Sequence, residues 1–307
     1  MKVSIITVFH NAEEYISSFT EKIEQQTFRD FELIFVDDES TDNSSSIVKS
    51  WSKKIPNIKY VFQKKAGPGP GRKTGLSIAD GEYVYFIDID DWVDTNMLSI
   101  VMDHIIQSGN PDVVVFNSKN ISEKKFENVH SPYASRKLKG GLYDGTSFLK
   151  AALGTRSFFV PIWLGMYSRK FLEFSNVRFL SIIHEDCASA IDIFSSAKSV
   201  LYLNQILHYR LMRAESIMHR EISRERIEST FFLMKDAVKR VSQSADEETH
   251  RVNVLWARMM ISLAITAVRD SNYKMELRND VTKFICKSKI ILGVREYLQV
   301  AMLYLPR

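Results

Sequence analysis

The sequence predicts an α/β protein: a doubly wound, mostly parallel sheet with a helical C-terminal region. Three observations carry that expectation. Short apolar, β-branched and aromatic runs, Val3 to Phe9, Phe31 to Val36, Ile58 to Phe62 and Tyr83 to Ile87, alternate with stretches of helical period. The runs are continuous, as expected for parallel strands covered on both faces, rather than alternating like half-exposed ones. After about Glu221 strand-like runs stop and the helical period continues to the end.

In chain order, Val3 to Phe9 reads as the first strand and Asn11 turns the chain. Tyr15, Ile16, Phe19 and Ile23 recur at helical spacing through about Gln26, and Phe31 to Val36 is the second strand, ending on Asp37 and Asp38. Ser40, Thr41 and Asp42 are helix-capping types ahead of Ile47, Val48 and Trp51; Pro56 and Asn57 then break the chain before the strand Ile58 to Phe62. Ala66 to Gly71 alternates glycine and proline, Arg72 to Ala79 reads as a short helix, and Tyr83 to Ile87 runs into Asp88, Asp90 and Asp91. A helix from about Thr95 to Gln107 and a strand from Asp112 to Asn117 complete a doubly wound half, whose ligands bind beyond the strand C-termini. The polar stretch Ser118 to Gly145 reads as hairpins or loops. Asp144 to Leu153 reads as helix, Phe158 to Tyr167 as extended, Cys187 to Phe194 as helix, and Val200 to Leu211 as extended with a break near Asn204. Ile227, Phe231, Met234 and Val238 open the helical remainder. The expected organisation is an α/β domain over 1–220, with halves 1–117 and 118–220, and a helical region over 221–307.

Composition narrows the function classes. With 307 residues, 45% hydrophobic and 25% charged, the chain is long enough to enclose a site and fits neither a disordered nor a fibrous class. A net charge of +4 is too small for the dense basic face of a nucleic-acid binder. Two cysteines, Cys187 and Cys286, share no metal-ligand spacing and indicate a reducing compartment. No apolar run approaches the roughly 20 residues of a membrane span, and the N-terminus reads straight into a strand, so a cytoplasmic location is expected.

Four clusters carry chemistry. Asp37 to Asp42 follows a buried strand: a carboxylate there either accepts the ring N–H of a pyrimidine base or caps the next helix. Asp88, Asp90 and Asp91 repel one another; either Mg²⁺ or Mn²⁺ bridging them to a diphosphate relieves that repulsion, or they form a solvated acidic turn. The loop from Gly67 to Arg72 lets backbone approach a ligand, with Arg72 positioned for phosphate or a carboxylate; it matches neither a Walker A loop nor Gly-x-Gly-x-x-Gly. Last come His184, Glu185 and Asp186, then Arg210, Arg213, Ser216 and His219, offering a proton acceptor and groups for a leaving diphosphate, although Glu185 and Asp186 taken alone also read as a helix N-terminal charge pair.

In order and spacing, VSIITVFHN, FELIFVDDESTDNS, GPGPGRKTGL, GEYVYFIDIDDW, HED and YRLMRAESI resemble the motifs of family 2 glycosyltransferases with the GT-A fold, over about residues 1 to 220. The resemblance implies that Thr7, Val8, Phe9 and Asp38 contact the nucleoside, that Asp88 meets the ribose or the glycine loop, and that Asp90 is the metal ligand. It also implies that Arg72 orders the diphosphate side and that Asp186 is the catalytic base. The expected activity is inverting transfer of a sugar from a nucleotide-sugar, a UDP-sugar, to a hydroxyl of a glycan or lipid-linked acceptor, assisted by Mn²⁺ or Mg²⁺. Bacterial polysaccharide biosynthesis is the context such enzymes imply. The competing readings are a sugar-nucleotide pyrophosphorylase, whose glycine loop would follow the first strand where Phe9-His10-Asn11-Ala12 stands, and a non-catalytic sugar-nucleotide binder.

Three segments keep two readings each. Trp163, with Tyr167, His184 and Glu185, either lines an acceptor pocket or, in the case of Trp163, fills core beside Ile162 and Leu164. Arg210, Arg213, Ser216 and His219 either close over the diphosphate, His219 adding a metal ligand, or begin a surface helix. Ile290, Ile291, Val294, Leu298, Ala301, Met302 and Leu305, among Lys283, Lys287, Lys289 and Arg295, form a basic amphipathic stripe. It either lies on the anionic inner face of the membrane or packs on the catalytic domain or a second subunit.

Overall fold

The computed structural model describes residues 2–122, 128–212 and 221–304. Arg213, Ser216, His219 and Leu305 lie outside the described residues.

Five strands follow the expected runs: β1 (Val3–Phe9), β2 (Phe31–Asp38), β3 (Ile58–Gln63), β4 (Tyr83–Phe86) and, beyond the two-residue β5 (Trp92–Val93), β6 (Val113–Ser122). Between them run α1 (Glu13–Glu24), α2 (Ser44–Lys54), α3 (Pro68–Ser77) and α4 (Met97–Gln107). Next come β7 (Asn128–Val129), β8 (Gly141–Tyr143), α5 (Gly145–Gly154), β9 (Gly165–Ser168), α6 (Arg169–Phe174), α7 (Glu185–Ser196) and β10 (Val200–Met212). One sheet holds all ten, ordered β3-β2-β1-β4-β9-β6-β10-β5, with β7 on β6 and β8 on β10. Its long ladders, β1 with β2 and β4, β2 with β3, and β6 with β10, are parallel; the short strands β5, β7, β8 and β9 pair antiparallel. The fold is the expected α/β class, a sheet whose long ladders are parallel.

Register assembles one functional edge. Phe9 lies beside Asp37, and β4 stops beside Ile6, so the last residues of β1, the end of β2 and the acidic turn after Phe86 emerge together. Beneath that edge, Phe9 and Phe19 both meet Phe35 edge-on at about 6 Å. α1 buries Ile16, Phe19, Thr20 and Ile23, the helical stripe read from sequence. Each such apolar side chain contributes about 1.5–3 kcal/mol.

Two expectations need correction. Only the end of the Phe158 to Tyr167 segment is strand, because Pro161 (φ −57°) leads Ile162–Leu164 into a 3₁₀ turn. The glycine-proline loop is mostly helix: α3 starts at Pro68, where the ring's fixed φ and missing N–H suit a first turn.

The chain divides into two compact units. The first comprises residues up to 148, 157–181 and 185–214; the second comprises 149–156, 182–184 and everything from 215. The second unit carries α8 (Arg224–Ser242), α9 (Glu247–Arg269), α10 (Lys274–Ser288) and α11 (Val294–Met302). Ser223 and Asp246 cap α8 and α9, their side chains accepting from Arg226 and Thr249 N–H. Among the described residues only α9 is long and apolar enough to cross a bilayer, and 56% of its apolar window is buried, with Ile261, Ala264, Ile265 and Val268 wholly inside the unit's own core.

Candidate active site

The site of the first unit is organised by one guanidinium. Arg72, in the middle of α3 and only 6% exposed, donates from Nη1 to Glu185 Oε1 at 2.6 Å and to Asp186 Oδ1 at 2.9 Å. Its Nη2 stands 3.5 Å from Asp88 Oδ1. The sequence-predicted residues Arg72, Asp88, Glu185 and Asp186 are thus one cluster, drawn from α3, the turn after β4 and the first turn of α7. The three carboxylates hold the Arg72 pKa above its ordinary value, although burial alone would lower it. One cation against three carboxylates leaves an excess of negative charge that suits a further cation.

α3 is aimed by its glycines. A Cβ on Gly69 would sit 2.1 Å from the Leu180 carbonyl oxygen, and one on Gly71 would sit 2.5 Å from Val8 Cγ1. Sequence reasoning reserved these glycines for a ligand; at Gly69 and Gly71 they instead let α3 close on 180 and on β1. Gly67, at φ +89°, turns the chain into the helix, a conformation natural to glycine.

Asp186 stands at the N-terminus of α7, where helix polarity favours a carboxylate. Burial raises its pKa above the ordinary carboxylate range; Arg72 and a backbone hydrogen bond from Ile162 oppose that rise, and Glu185 and Asp88 add to it. The raised direction is the physically expected one for a side chain only 19% exposed beside two more acids. It is the direction a general base needs.

Other predicted donor-side residues are spent differently. Asp38, 4% exposed, accepts from Gln63 Nε2 and Ala66 N on Oδ1 and from Gly67 N on Oδ2, at 2.7 to 3.0 Å. Its carboxylate therefore pins the loop that launches α3. Asp37 accepts from Ser40 N and Tyr60 OH. Phe9, 3% exposed, is core, so only its backbone faces the edge, and Val8 packs on Gly71. Thr7 is buried with Oγ1 lacking a partner among the described residues.

The acidic turn is divided. Asp91 is a fastener: Oδ1 accepts from Leu211 N at 2.9 Å and Oδ2 lies 3.3 Å from His208 Nε2. Asp88, its side chain 46% exposed, turns to Arg72, and the half-buried Asp90 lines a depression of about 360 Å³ with Tyr15 and Trp92. Among the described residues no three His, Cys, Asp or Glu side chains form a metal-holding group. The set fits Mg²⁺ or Mn²⁺ held by one or two carboxylates and completed by phosphate oxygens and water, not a cage built from protein alone.

On the acceptor side, Trp163 needs correction. It is 4% exposed, stacks on His208 at 4.4 Å and meets Tyr133 edge-on at 5.3 Å, so it is core and presents no open face to a sugar. Glu185 is likewise held by Arg72. His184, grouped with the helical unit, accepts from Arg226 Nε on its Nε2 at 3.3 Å. Arg210 is half-buried on β10 opposite Asn120. Tyr133, which sequence reasoning missed, feels both Arg210 and Asp186, while burial raises its pKa. It sits in a polar loop with no periodicity, so nothing local marks it.

A doubly wound sheet with acids gathered at one strand-end edge places the candidate site where ligands of such α/β folds bind. The chain belongs to glycosyl transferase family 2, whose model matches residues 4–173. It is 27% identical over 223 residues to the uncharacterized glycosyltransferase YibD of Escherichia coli, covering 72% of this chain and 64% of that one. With the cholesterol galactosyltransferase of Borreliella burgdorferi it shares 29% over 225 residues, 70% of this chain and 62% of that one. The matched part thus spans less than two thirds of these relatives. In structure it is similar to TarS 1–349 of S. aureus in complex with UDP-GlcNAc, with a TM-score of 0.68, 19% identity, and coverage of 99% of this chain and 79% of that one.

Proposed function

We propose that this chain is an inverting glycosyltransferase that moves a sugar from a UDP-sugar to a hydroxyl of a glycan or lipid-linked acceptor. The observation that carries the reading is the Arg72 cluster, in which Asp186, its side chain 19% exposed and its pKa raised, accepts from Arg72 Nη1 at 2.9 Å. The UDP-GlcNAc complex of TarS supports the donor class through the shared fold, and the B. burgdorferi relative's name supports a lipid-type acceptor.

In this reading Asp186 accepts the proton of the attacking hydroxyl as it approaches the anomeric carbon opposite the diphosphate. Arg72 orients the base and opposes the rise in its pKa, its Nη1 donating to Asp186 and Glu185 together. Thr7 and the loop pinned by Asp38 shape the nucleoside end. Asp90, with Asp88, would hold Mg²⁺ or Mn²⁺, which when bound neutralises charge on the leaving diphosphate. Arg210, and Arg213, Ser216 and His219 beyond the described residues, belong to the diphosphate side. We place the reaction in the cytoplasm, with the C-terminal helices touching the inner face of the membrane where the acceptor is lipid-linked.

The test is a screen of purified protein against nucleotide-sugars with a mixed acceptor set, with and without excess EDTA. UDP release that depends on acceptor and on a divalent ion, lost in Asp90→Asn, is expected. Full turnover in EDTA overturns the metal assignment, and no acceptor-dependent release from any donor overturns the activity.

A further inference from the structure

The C-terminal helix buries two polar side chains and exposes two large apolar ones. α11 turns polar side chains inward: Glu296, 6% exposed, accepts from Arg258 at 2.8 Å, and Gln299, 7% exposed, accepts from Ser262 Oγ at 2.8 Å. Val300 packs on the unit's core, but two large apolar side chains face outward, Tyr297 and Leu298, each 61% exposed, and Ile291, just before the helix, is 82% exposed. Glu296 is the one acid between residue 283 and residue 304, and it is buried, whereas Lys283, Lys287, Lys289 and Arg295 are all exposed.

A second observation meets the first at Ile291. That residue lines a groove of about 960 Å³ whose floor includes Val254, Leu255 and Phe284. Lys235, Lys239, Arg251 and Lys289 stand among its lining residues, and no carboxylate lines it. Arg251 is paired with Glu247. An apolar surface and trough with cations and no acids at the rim is complementary to one chemistry, an anionic head joined to acyl chains.

We propose that the helical unit docks on an anionic phospholipid bilayer, with Ile291, Tyr297 and Leu298 inserted and Lys235, Lys239 and Lys289 on the headgroup phosphates. This deepens the lipid-linked-acceptor reading, but binding is read without turnover, so either can fail alone. The probe is flotation of the full chain with vesicles of phosphatidylcholine alone, or with a third of the lipid replaced by phosphatidylglycerol. The protein is expected to float with the anionic vesicles and stay behind with the neutral ones. Each cation at such a surface contributes roughly fivefold to partitioning, so Lys235→Ala/Lys239→Ala/Lys289→Ala should weaken it about a hundredfold. The exposed pair Ile291→Ser/Leu298→Ser should weaken it at least about tenfold with melting temperature unchanged. Both variants should keep wild-type turnover of a UDP-sugar with a water-soluble acceptor. Indifference of the wild type to phosphatidylglycerol, or undiminished flotation of either variant, overturns the proposal. So does a dimer in light scattering that Ile291→Ser/Leu298→Ser dissolves without any vesicle binding, which would assign the surface to a second copy of the chain.

Discussion

At Asp186 two forces oppose each other, and both are needed. Burial among Glu185 and Asp88 pushes the carboxyl pKa up, while Arg72 at 2.9 Å pulls it down. A base must be deprotonated to act, so kcat/KM should rise with pH through the raised Asp186 pKa, placing the acid limb above the roughly 4 of an ordinary aspartate. Asp186→Asn keeps the shape and removes the acceptor, so turnover should fall by at least roughly the hundredfold typical of general-base loss. Donor affinity, followed by titration with UDP, should persist. Loss of donor affinity with turnover intact at saturating donor would remove Asp186 from the base role. Arg72→Lys separates positioning from bulk. A lysine retains one charge and loses the planar fork whose Nη1 serves Glu185 and Asp186 while Nη2 faces Asp88. With its cation less closely held, Asp186 should titrate higher, so the acid limb should move to higher pH as kcat drops. A falling kcat with an unmoved limb would make Arg72 merely structural.

At the scale of elements, α3 matters through where its packing leaves Arg72. The 2.1 Å approach that a Gly69 Cβ would make is to backbone, which cannot swing aside. Gly69→Ala should therefore shift α3 at a cost of about 1–3 kcal/mol and lower kcat with it. Gly154→Ala, exposed on the last turn of α5 with nothing near its Cβ, should be neutral or gain about 0.4–1 kcal/mol. Equal melting temperatures and activities for the two variants would sink this account of α3. β1, β2 and β4 were legible because burial on both faces leaves continuous apolar runs, the edge strand β3 because its Ile58, Tyr60, Val61 and Phe62 are strand-forming types, and α1 because one face buries every third or fourth residue. β5 and β8 were not, and β9 was legible only as the end of a longer extended segment. Strands of two to four residues such as Gly165–Ser168 carry no period, and their pairing between distant strands is decided by tertiary contacts. At the site, the acids of the turn after β4 and of α7 were legible as charge clusters at element ends. Their partners were not: Asp38 is consumed by Gln63 and the loop, Asp91 by β10, and Trp163 by His208, distinctions that need coordinates because residue type is the same either way.

For the whole molecule, the two units rest on different chemistry, and acid should expose the difference. The first unit's site is held by carboxylates around a guanidinium. In the second unit His184, at φ +65°, is held neutral: burial and Arg226 push its pKa down to about 4. Arg226 Nε donates to His184 Nε2, and a protonated imidazole has no lone pair there to accept it. The sign follows directly. Unfolded, the ring takes its proton near 6.5; folded, only near 4, so its contribution to stability is complete above 6.5 and drains away as pH falls toward 4. By about pH 5 the loss reaches as much as 2 kcal/mol. Urea unfolding followed between neutral pH and about 5 should show the midpoint falling. His184→Gln keeps an acceptor for Arg226 without a titrating ring, and should flatten that fall while leaving the neutral-pH midpoint within about 1 kcal/mol. If wild type and His184→Gln lose stability in parallel across the window, the acid sensitivity lies elsewhere in the molecule and His184 is not its source.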